Sequence, residues 1–541
     1  MTDQPSSTDQ DVGFWADQCA EDILHREITE PIVIKGGVSP SGVPHLGHQN
    51  EILRGYFVAE SLRSQDYAVQ QVFTSDDRDR LRAIPRKLAD LNWNIVGLDE
   101  IDAEALGKNL GKPLTSIPDP FGCCDSFGDH QTELLIQSAD LVDVPIEVIS
   151  ATSMYESGAL EDITATILSK QELARDILAN YQDKVDASYV PFLAICQECG
   201  HLTEDILNVD IENRRVTYKC SNVEAGNQII EGCGHSGTAT FREGKLPWRF
   251  EWPAQWQALN VDFEPFGKDH AEGSWPSGKE IASRLLDFQP PVPMTYEWFT
   301  LNGEPLSSSA GNIITISQVL SFLELEVLRY FFALSPKKSR DFDIETLDQL
   351  VDDFDRLESI YFNEIEDEDL KPFANGAYPY LVDEIREDRV RLPYTFAAVL
   401  GMTDDRELRL QMARNEGHID ENTPEWAIDN ALKRVEKAHR WAQYVDNEYN
   451  YRLQENLPDI SIDTETAQAL DELADFIAKG HSGEEIQSEI YETAKRHSID
   501  VPEFFATGYK LFLGQDSGPK LGPFLAALDD RFVVERLRRN E

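Results

Sequence analysis

Two histidines three residues apart, at the start of a helix that follows an apolar strand, make a phosphate-binding arrangement. They are His45 and His48, in the segment Ser39-Pro40-Ser41-Gly42-Val43-Pro44-His45-Leu46-Gly47-His48. A helix start presents unpaired N–H groups and the positive end of its dipole, so an anionic phosphate binds there without lysines. Gly47 has no side chain to hold a nucleotide away from the helix. His45 and His48 share one side of the first turn, where each can donate to a phosphate oxygen. A second segment, Leu306-Ser307-Ser308-Ser309-Ala310-Gly311-Asn312, is a hydroxyl-rich loop after a strand and can close over phosphates. Alone it reads as an ordinary linker.

Six of the seven cysteines fall in two clusters, and only Cys19 stands apart. Cys196-x2-Cys199 followed by Cys220 and Cys233 offers four thiolates in one small module, the pattern of a structural zinc ribbon. The second pair is widely spaced, so His235 is an alternative ligand. Such a module lacks a core of its own, and metal binding can supply its folding energy. Asp119, Cys123, Cys124 and His130 form the other set: one oxygen, two sulfurs and one nitrogen. Adjacent cysteines reach one metal only if the backbone turns sharply, which Gly122 permits. The plain alternative is two buried thiols.

These residues need elements to position them. A short helix is expected around Phe14–Glu27, then a buried strand at Pro31–Val38 ending in glycines. Gln49–Arg63 carries helical periodicity through Ile52, Tyr56, Phe57, Ala59 and Leu62. Further strands are expected at Tyr67–Phe73, Ile146–Ser150, Val261–Phe266 and Val292–Leu301, with a long amphipathic helix over Glu161–Gln182 and helix over Gly278–Phe288. TSDDRDRLRAIP and GKDH read as loops. Strands alternating with helices indicate an α/β fold with a parallel sheet, interrupted by the cysteine module at 192–240. From Ser317 onward the pattern is wholly helical. Glu364–Pro379, acidic with Gly and Pro, reads as a linker.

A chain of 541 residues exceeds what one core organises, so three to four domains are expected. Hydrophobic residues make up 41%, enough to exclude a mostly disordered chain. No run of 18 apolar residues exists and the N-terminus is polar and acidic, so a cytoplasmic protein without a membrane span is expected. An odd cysteine count without a signal segment argues against a disulfide framework. Lys and Arg total 49 against 98 Asp and Glu, a net charge of −49 spread along the whole chain. Uniform acidity with few lysines suits multimolar salt, where the Debye length shrinks to about 3 Å and self-repulsion fades. The charge therefore reports the solvent before it reports any partner.

HxGH after the first strand together with a serine loop at the far end of the sheet resembles the two nucleotide signatures of class I aminoacyl-tRNA synthetases. The stretches GVSPSGVPHLGH, DPFGCCDSFGDH, LPWRFEWPAQW, VDFEPFGKDH and YEWFTLNG narrow this to a resemblance with the class I lysyl-tRNA synthetases found mainly in archaea. It runs from about Pro31 to Lys338 and is weaker through the C-terminal third.

The resemblance implies a Rossmann-like catalytic domain over 31–300 carrying a zinc module at 192–240. It further implies a leader and helix over 1–30, a serine loop and stem-contact region over 301–365, and an all-α anticodon-binding domain over 366–541. It implies a ligase for lysine and tRNA(Lys) that uses ATP, Mg2+ and Zn2+, expected to be a monomer. His45, Gly47, His48, Ser307, Ser308 and Ser309 would be catalytic. Pro40, Ser41, Gly42, Leu46, Gly311 and Asn312 would bind ATP. Gly37, Ser39, Trp248, Asp269, His270 and Tyr296 would line the lysine pocket, and Asp119, Cys123, Cys124 and His130 would hold a second zinc. A lysine side chain does need an apolar channel with aromatic faces and an anion for its ammonium. One departure is visible. The family's serine loop commonly carries lysine, whereas this chain has Pro305 and Ala310, leaving Lys268, Lys337 and Lys338 as candidate substitutes. The alternatives are another class I synthetase, a small nucleotidyltransferase, or a catalytically impaired tRNA-binding paralogue. Arg434, Lys437, Arg440, Arg536, Arg538 and Arg539 stand out as basic points in the helical third.

Overall fold

The computed structural model describes residues 13–101, 103–182, 185–225, 228–306, 311–454 and 456–539. At its centre is a five-stranded parallel sheet formed by β1 (Ile32–Val38), β2 (Val69–Ser75), β3 (Glu147–Ser150), β4 (Phe263–Gly267) and β5 (Val292–Tyr296). Their order across the sheet is β5-β4-β1-β2-β3. β1 pairs with β2 from Ile32↔Val69 to Val38↔Ser75, and on its other edge with β4 at Ile34↔Phe263. The chain thus leaves β1 in one direction, through β2 and β3, and returns on the other side through β4 and β5. Strand order reverses beside β1, and a crevice opens at such a switch point beyond the strands' carboxyl ends.

β1 is buried on both faces, as its apolar run requires. Gly36 and Gly37 are demanded by packing: an added Cβ would lie 2.6 Å from the Phe73 ring and 2.4 Å from Thr74 Oγ1. Helix α1 (Trp15–Leu24) precedes the sheet, and α2 (Gln49–Arg63) follows β1 over the expected residues.

The segment expected as one helix over Glu161–Gln182 is two, Glu161–Ser169 and Gln171–Leu178, broken at Lys170, whose ammonium bonds Leu285 O at 2.6 Å. GKDH is no loop: Lys268–Glu272 is a helical turn. The strand expected over Val292–Leu301 splits into β5 and Phe299–Leu301. The latter pairs in parallel with Arg340–Phe342, a strand in the region expected to be wholly helical. TSDDRDRLRAIP, expected as a polar loop, buries Asp76, Asp77 and Arg78. A hairpin of two three-residue strands, Lys87–Ala89 and Ile95–Gly97, has no counterpart in the sequence pattern.

The cysteine module is a three-stranded antiparallel sheet of Ile206–Asp210, Arg215–Lys219 and Ser236–Thr240, beside strands Leu193–Ile195, Leu202–Thr203 and Gly244–Lys245. It does enclose a small apolar core of Phe192, Ala194, Val216, Tyr218, Ala239 and Phe241.

The molecule divides into two compact units. The first takes the chain as far as Val319, with Arg329–Asp343 and Glu366–Asp383; the second takes Leu320–Leu328, Ile344–Ile365 and the chain from Glu384. Glu364–Pro379 is not a plain linker, because Lys371–Leu381 is a helix of the first unit. Phe14 stacks on Tyr380 at 5.8 Å and meets Phe373 edge-on at 6.2 Å. Among its described residues the second unit carries no strand. Its longest helix is Glu425–Val445. Arg434 there is buried, bonding both Asp355 oxygens at 2.6 and 2.8 Å and Glu324 at 2.5 Å.

Candidate active site and metal centres

At the carboxyl ends of β1, β2, β4 and β5 lies a cleft of about 870 Å³. It gathers Gly37, Ser39, His45, Gly47, His48, Trp248, Asp269, His270 and Tyr296 from distant parts of the chain. Pro40, Ser41, Gly42 and Leu46 are not among its lining residues; Leu46 is fully buried and its N–H bonds Ile314 O at 2.9 Å. Ser307, Ser308 and Ser309, with Ala310, lie outside the described residues. Gly311 and Asn312 mark the loop's return, where Asn312 Nδ2 donates to Pro305 O at 2.9 Å.

The two histidines are organised by each other. His45 Nδ1 accepts the Gly47 N–H at 3.1 Å and His48 Nδ1 accepts the His45 N–H at 3.0 Å, with ring centroids 4.1 Å apart. Burial, and then the neighbouring His48, pushes His45 well below the usual imidazole range, and burial takes His48 down to about 4. Both rings are therefore neutral near pH 7. With each Nδ1 occupied as an acceptor, the proton sits on Nε2 and is available to a ligand. This alters the helix-start expectation. The N–H groups of His45, Leu46, Gly47 and His48 are all consumed internally, so this turn offers a ligand its imidazoles rather than bare backbone amides.

Beside them stands Glu51, on α2 one turn beyond His48. Its carboxylate accepts the Gly37 N–H at 2.8 Å and the Tyr296 hydroxyl at 3.1 Å. Burial raises this carboxyl to about 7 against the opposing pull of those hydrogen bonds. Burial also raises the Tyr296 phenol, with Glu51 adding to it. Trp248 lies parallel to Trp252 at 5.3 Å, and both indoles meet His270, at 6.0 and 5.5 Å. Asp269 Oδ2 is 3.6 Å from His270 Nε2. Trp298, 54% exposed, stands at the mouth with the Lys268 ammonium 4.9 Å from its ring centroid.

Beneath the cleft is a buried charge network. Lys35 pairs with Glu264 at 2.9 Å, and Glu264 also accepts the indole N–H of Trp252 at 2.8 Å and of Trp256. Lys245 bridges Glu251 at 2.6 Å and Asp79. Burial raises Asp76 well above the usual carboxylate range, with Glu251 adding to the effect, while Gln255 donates to it at 2.9 Å. Sequence reasoning missed Glu51, Asp76, Asp79, Lys35 and Glu264. Glu51 carried a signal, since it lies three residues after His48 and shares its helical face. Lys35 and Glu264 carried another, as lone opposite charges inside two apolar strands.

The four thiols of Cys196, Cys199, Cys220 and Cys233 lie within 4.8 Å of one another, with Cys196–Cys233 and Cys199–Cys220 each at 3.6 Å. Tetrahedral zinc–thiolate bonds of about 2.3 Å place sulfurs roughly 3.8 Å apart, so the donor set is compatible with zinc. The second cluster also converges. Cys123 Sγ is 3.3 Å from His130 Nδ1, 3.3 Å from Asp119 Oδ2 and 3.9 Å from Cys124 Sγ. Asp119 turns the loop by accepting the N–H groups of Phe121, Cys123 and Cys124. His130 Nε2 lies 2.9 Å from Ala89 O, an orientation that frees Nδ1 as a metal ligand.

The basic points of the helical third are largely committed to structure. Arg536 bonds three carbonyls, Arg538 pairs with Asp475, Arg539 with Asp471, and Lys437 bonds Leu320 O. Arg440 is exposed.

The model of the family described as tRNA synthetases class I (K) matches residues 13–378. The chain is 63% identical to a protein named lysine–tRNA ligase from Haloarcula marismortui, over 98% of this chain and 97% of that one. It is 60% identical to one of the same name from Natronomonas pharaonis, over 97% of each chain. With the lysine–tRNA ligase of Thermococcus kodakarensis the identity is 31%, over 97% of this chain and 99% of that one. A Rossmann-type crevice holding paired imidazoles, and a family match covering the whole first unit's core, lead to one conclusion: the chain belongs to the class I (K) family of tRNA synthetases.

Proposed function

We propose that the protein is a lysine–tRNA ligase: it activates L-lysine with ATP to lysyl-adenylate and transfers the lysyl group to tRNA(Lys). The observation that carries this reading is the nearly full-length likeness to proteins of that name, supported by a cleft that gathers neutral imidazoles, a buried carboxyl group and aromatic side chains.

Mg2+ bound with ATP would supply charge neutralisation at the phosphates. His45 and His48 donate from Nε2 to those phosphates, and Gly47 leaves room for the nucleotide. The lysine methylenes lie against Trp248 and Tyr296, with Ser39 and His270 as further walls. Glu51 is the anion that receives the ammonium, and Asp269 stands nearer the mouth. The lysine carboxylate attacks the α-phosphorus in line and pyrophosphate leaves; the tRNA's terminal ribose hydroxyl then takes the lysyl group. Rate comes from positioning and charge stabilisation, with no covalent enzyme intermediate. Ser307, Ser308 and Ser309, together with Pro40, Ser41, Gly42, Leu46, Gly311 and Asn312, complete the nucleotide site in this reading.

Two zinc ions belong to the proposal, one on Cys196, Cys199, Cys220 and Cys233 and one on Asp119, Cys123, Cys124 and His130. Zinc there supplies folding energy and rigid geometry. Residues 31–300 form the catalytic domain, 301–365 its serine loop and stem contact, and 366–541 the anticodon-binding domain, in a monomer acting in the cytoplasm. No helix of the described residues is long and apolar enough to cross a membrane.

The test is charging of total tRNA from a halophilic source with each of the twenty amino acids, ATP and Mg2+, in multimolar KCl. Charging with lysine alone is expected. Another amino acid would overturn the pocket assignment, and tRNA binding without any charging would make the protein a non-catalytic binder.

A further inference from the structure

The cleft's charge is wrong for a triphosphate. Its wall carries the carboxyl groups of Glu51, Asp76, Asp79 and Asp269, and among the described residues only Arg82 and Arg249 bring a strongly basic group to it. Arg249 is engaged by Gly273 O at 2.6 Å and Ser277 Oγ at 2.8 Å. Arg82 lies beside Asp79; there burial works to raise the carboxyl, and Lys245 and then Arg82 bring it below its usual value. Residues 307–310, Ser-Ser-Ser-Ala, contain no cation. A pyrophosphate leaving from this cleft gains charge, and the wall offers little to balance it.

One cation stands beside the serine segment's return. Lys87 begins the hairpin Lys87–Gly97, is exposed, and makes no ion pair among the described residues, whereas Lys268 is held by Glu297. Lys337 lines a different cavity, with Cys19 and Asp22. A Cβ built on Gly311 would lie 3.6 Å from Lys87 Cε and 3.9 Å from Cδ, so the lysine stem runs along that glycine. Gly311 has φ +79°, the left-handed region that favours glycine. The hairpin is packed in place. Ala89 shares a small core with Val43, and Ile95 and Ile313 pack against it, which joins the hairpin to the loop before His45 and to the segment after Gly311. At the segment's other end Leu306 Cδ1 lies 3.7 Å from the position of a Cβ on Gly47, and Asn312 ties the two ends together through Pro305 O.

We infer that Lys87 is the cation that neutralises the departing pyrophosphate in adenylate formation. The inference rests on the ligase reading above. A lysine carboxylate oxygen forms the new bond to the α-phosphorus, and the bond to the bridging oxygen breaks. The electron pair stays on that oxygen and pyrophosphate leaves with the charge. No proton moves, so a fixed ammonium is the appropriate partner.

Lysine-dependent ATP–pyrophosphate exchange on the full chain tests this, with Lys87→Ala, Lys87→Arg, and Ala310→Lys added to Lys87→Ala. Lys87→Ala is expected to lower kcat on the order of 100-fold, with KM for lysine within about twofold. Lys87→Arg keeps most of the rate, and Ala310→Lys restores at least about tenfold by supplying an ammonium from the loop itself. Wild-type exchange by Lys87→Ala would overturn the inference. So would a loss shared between kcat and KM that Ala310→Lys does not rescue, because that pattern marks a structural role. If the unaltered protein shows no lysine-dependent exchange, the ligase reading fails first.

Discussion

His130 holds Ala89 by its backbone: Nε2 stands 2.9 Å from that carbonyl while Nδ1 points back at Cys123, 3.3 Å away. The Asp119–His130 cluster is therefore mechanically continuous with the Lys87–Gly97 hairpin, two residues from Lys87. Loading the cluster should stiffen the hairpin.

The expected outcome is two zinc ions per chain by elemental analysis, falling to one in Cys199→Ser and to one in Cys124→Ser. Amide exchange should rise over residues 87–97 in Cys124→Ser but not in Cys199→Ser. Equal protection of the hairpin in both variants would disconnect the cluster from it. Loss of a structural zinc removes several kcal/mol of folding energy, so both variants should melt at lower temperature.

Glu51 gives the proposed lysine site a pH dependence with a definite sign. Burial holds its carboxyl at about 7 in the empty cleft, and an arriving ammonium favours the ionised form. kcat/KM for lysine should rise as pH climbs from 6 to 8, with proton release on binding below pH 7. Glu51→Gln should flatten the profile and lower kcat/KM about 10- to 100-fold, the cost of a lost charged hydrogen bond. An unchanged profile in Glu51→Gln would remove Glu51 from the lysine site. Because the folded value is raised, the group's folding contribution is full below the ordinary carboxylate value and is lost as pH rises through about 7.

The histidine pair should behave in the opposite way. Its values are depressed, so its contribution to stability is present above the free imidazole value near 6.5 and declines as pH falls toward 4. No imidazole titration should therefore appear in the rate between pH 6 and 8. His48→Ala is expected to cut exchange kcat by about 100- to 1,000-fold by removing a preorganised donor. It should also cost about 1 kcal/mol of stability, because His48 Nδ1 caps the His45 N–H. A tenfold or smaller effect on kcat would assign the phosphates to other donors.

In the helical unit, Arg434 should prove structural. It is buried between Asp355 and Glu324, and removing one member of such a set leaves charges unpaired at a cost of about 3–5 kcal/mol. Arg434→Ala should lower the melting temperature strongly, and at temperatures where it stays folded it should bind tRNA as the wild type does. With so many basic groups committed, tRNA affinity should change less than about tenfold between 1 and 3 M KCl, where counterion release contributes little. A steep loss across that range would show that phosphate contacts dominate.

Elements with long, regular patterns were legible in the sequence. Gln49–Arg63 forms over the expected residues because its apolar positions repeat at helical spacing. The hairpin at Lys87–Gly97 was not, because three-residue strands are too short to show alternation. Lys371–Leu381 was misjudged because Pro372 sits in its first turn, where proline is tolerated, and its aromatics pack on Phe14, which no local window contains. In the site, His45 and His48, proposed to meet phosphate, stand in a motif that a local window contains. Glu51, proposed to meet the ammonium, does not, since it is placed by Gly37 and Tyr296, 14 and 245 residues away. The buried Lys35–Glu264 pair is not legible locally, because only the pairing of β1 with β4 brings its two strands together.

The chain passes between its two units five times, at 319/320, 328/329, 343/344, 365/366 and 383/384. Neither unit is a continuous stretch, so neither closes from a single run of chain. The first waits for Glu366–Asp383, and the second keeps Leu320–Leu328 open until Arg434 arrives to take Glu324. A nascent chain stalled near residue 380 would present the sheet and cleft almost whole, beside an unpaired Glu324 segment. A single cut after Asp383 keeps every segment of the first unit on one piece but strips Leu320–Leu328 and Ile344–Ile365 from the second, so the helical unit cannot be released whole.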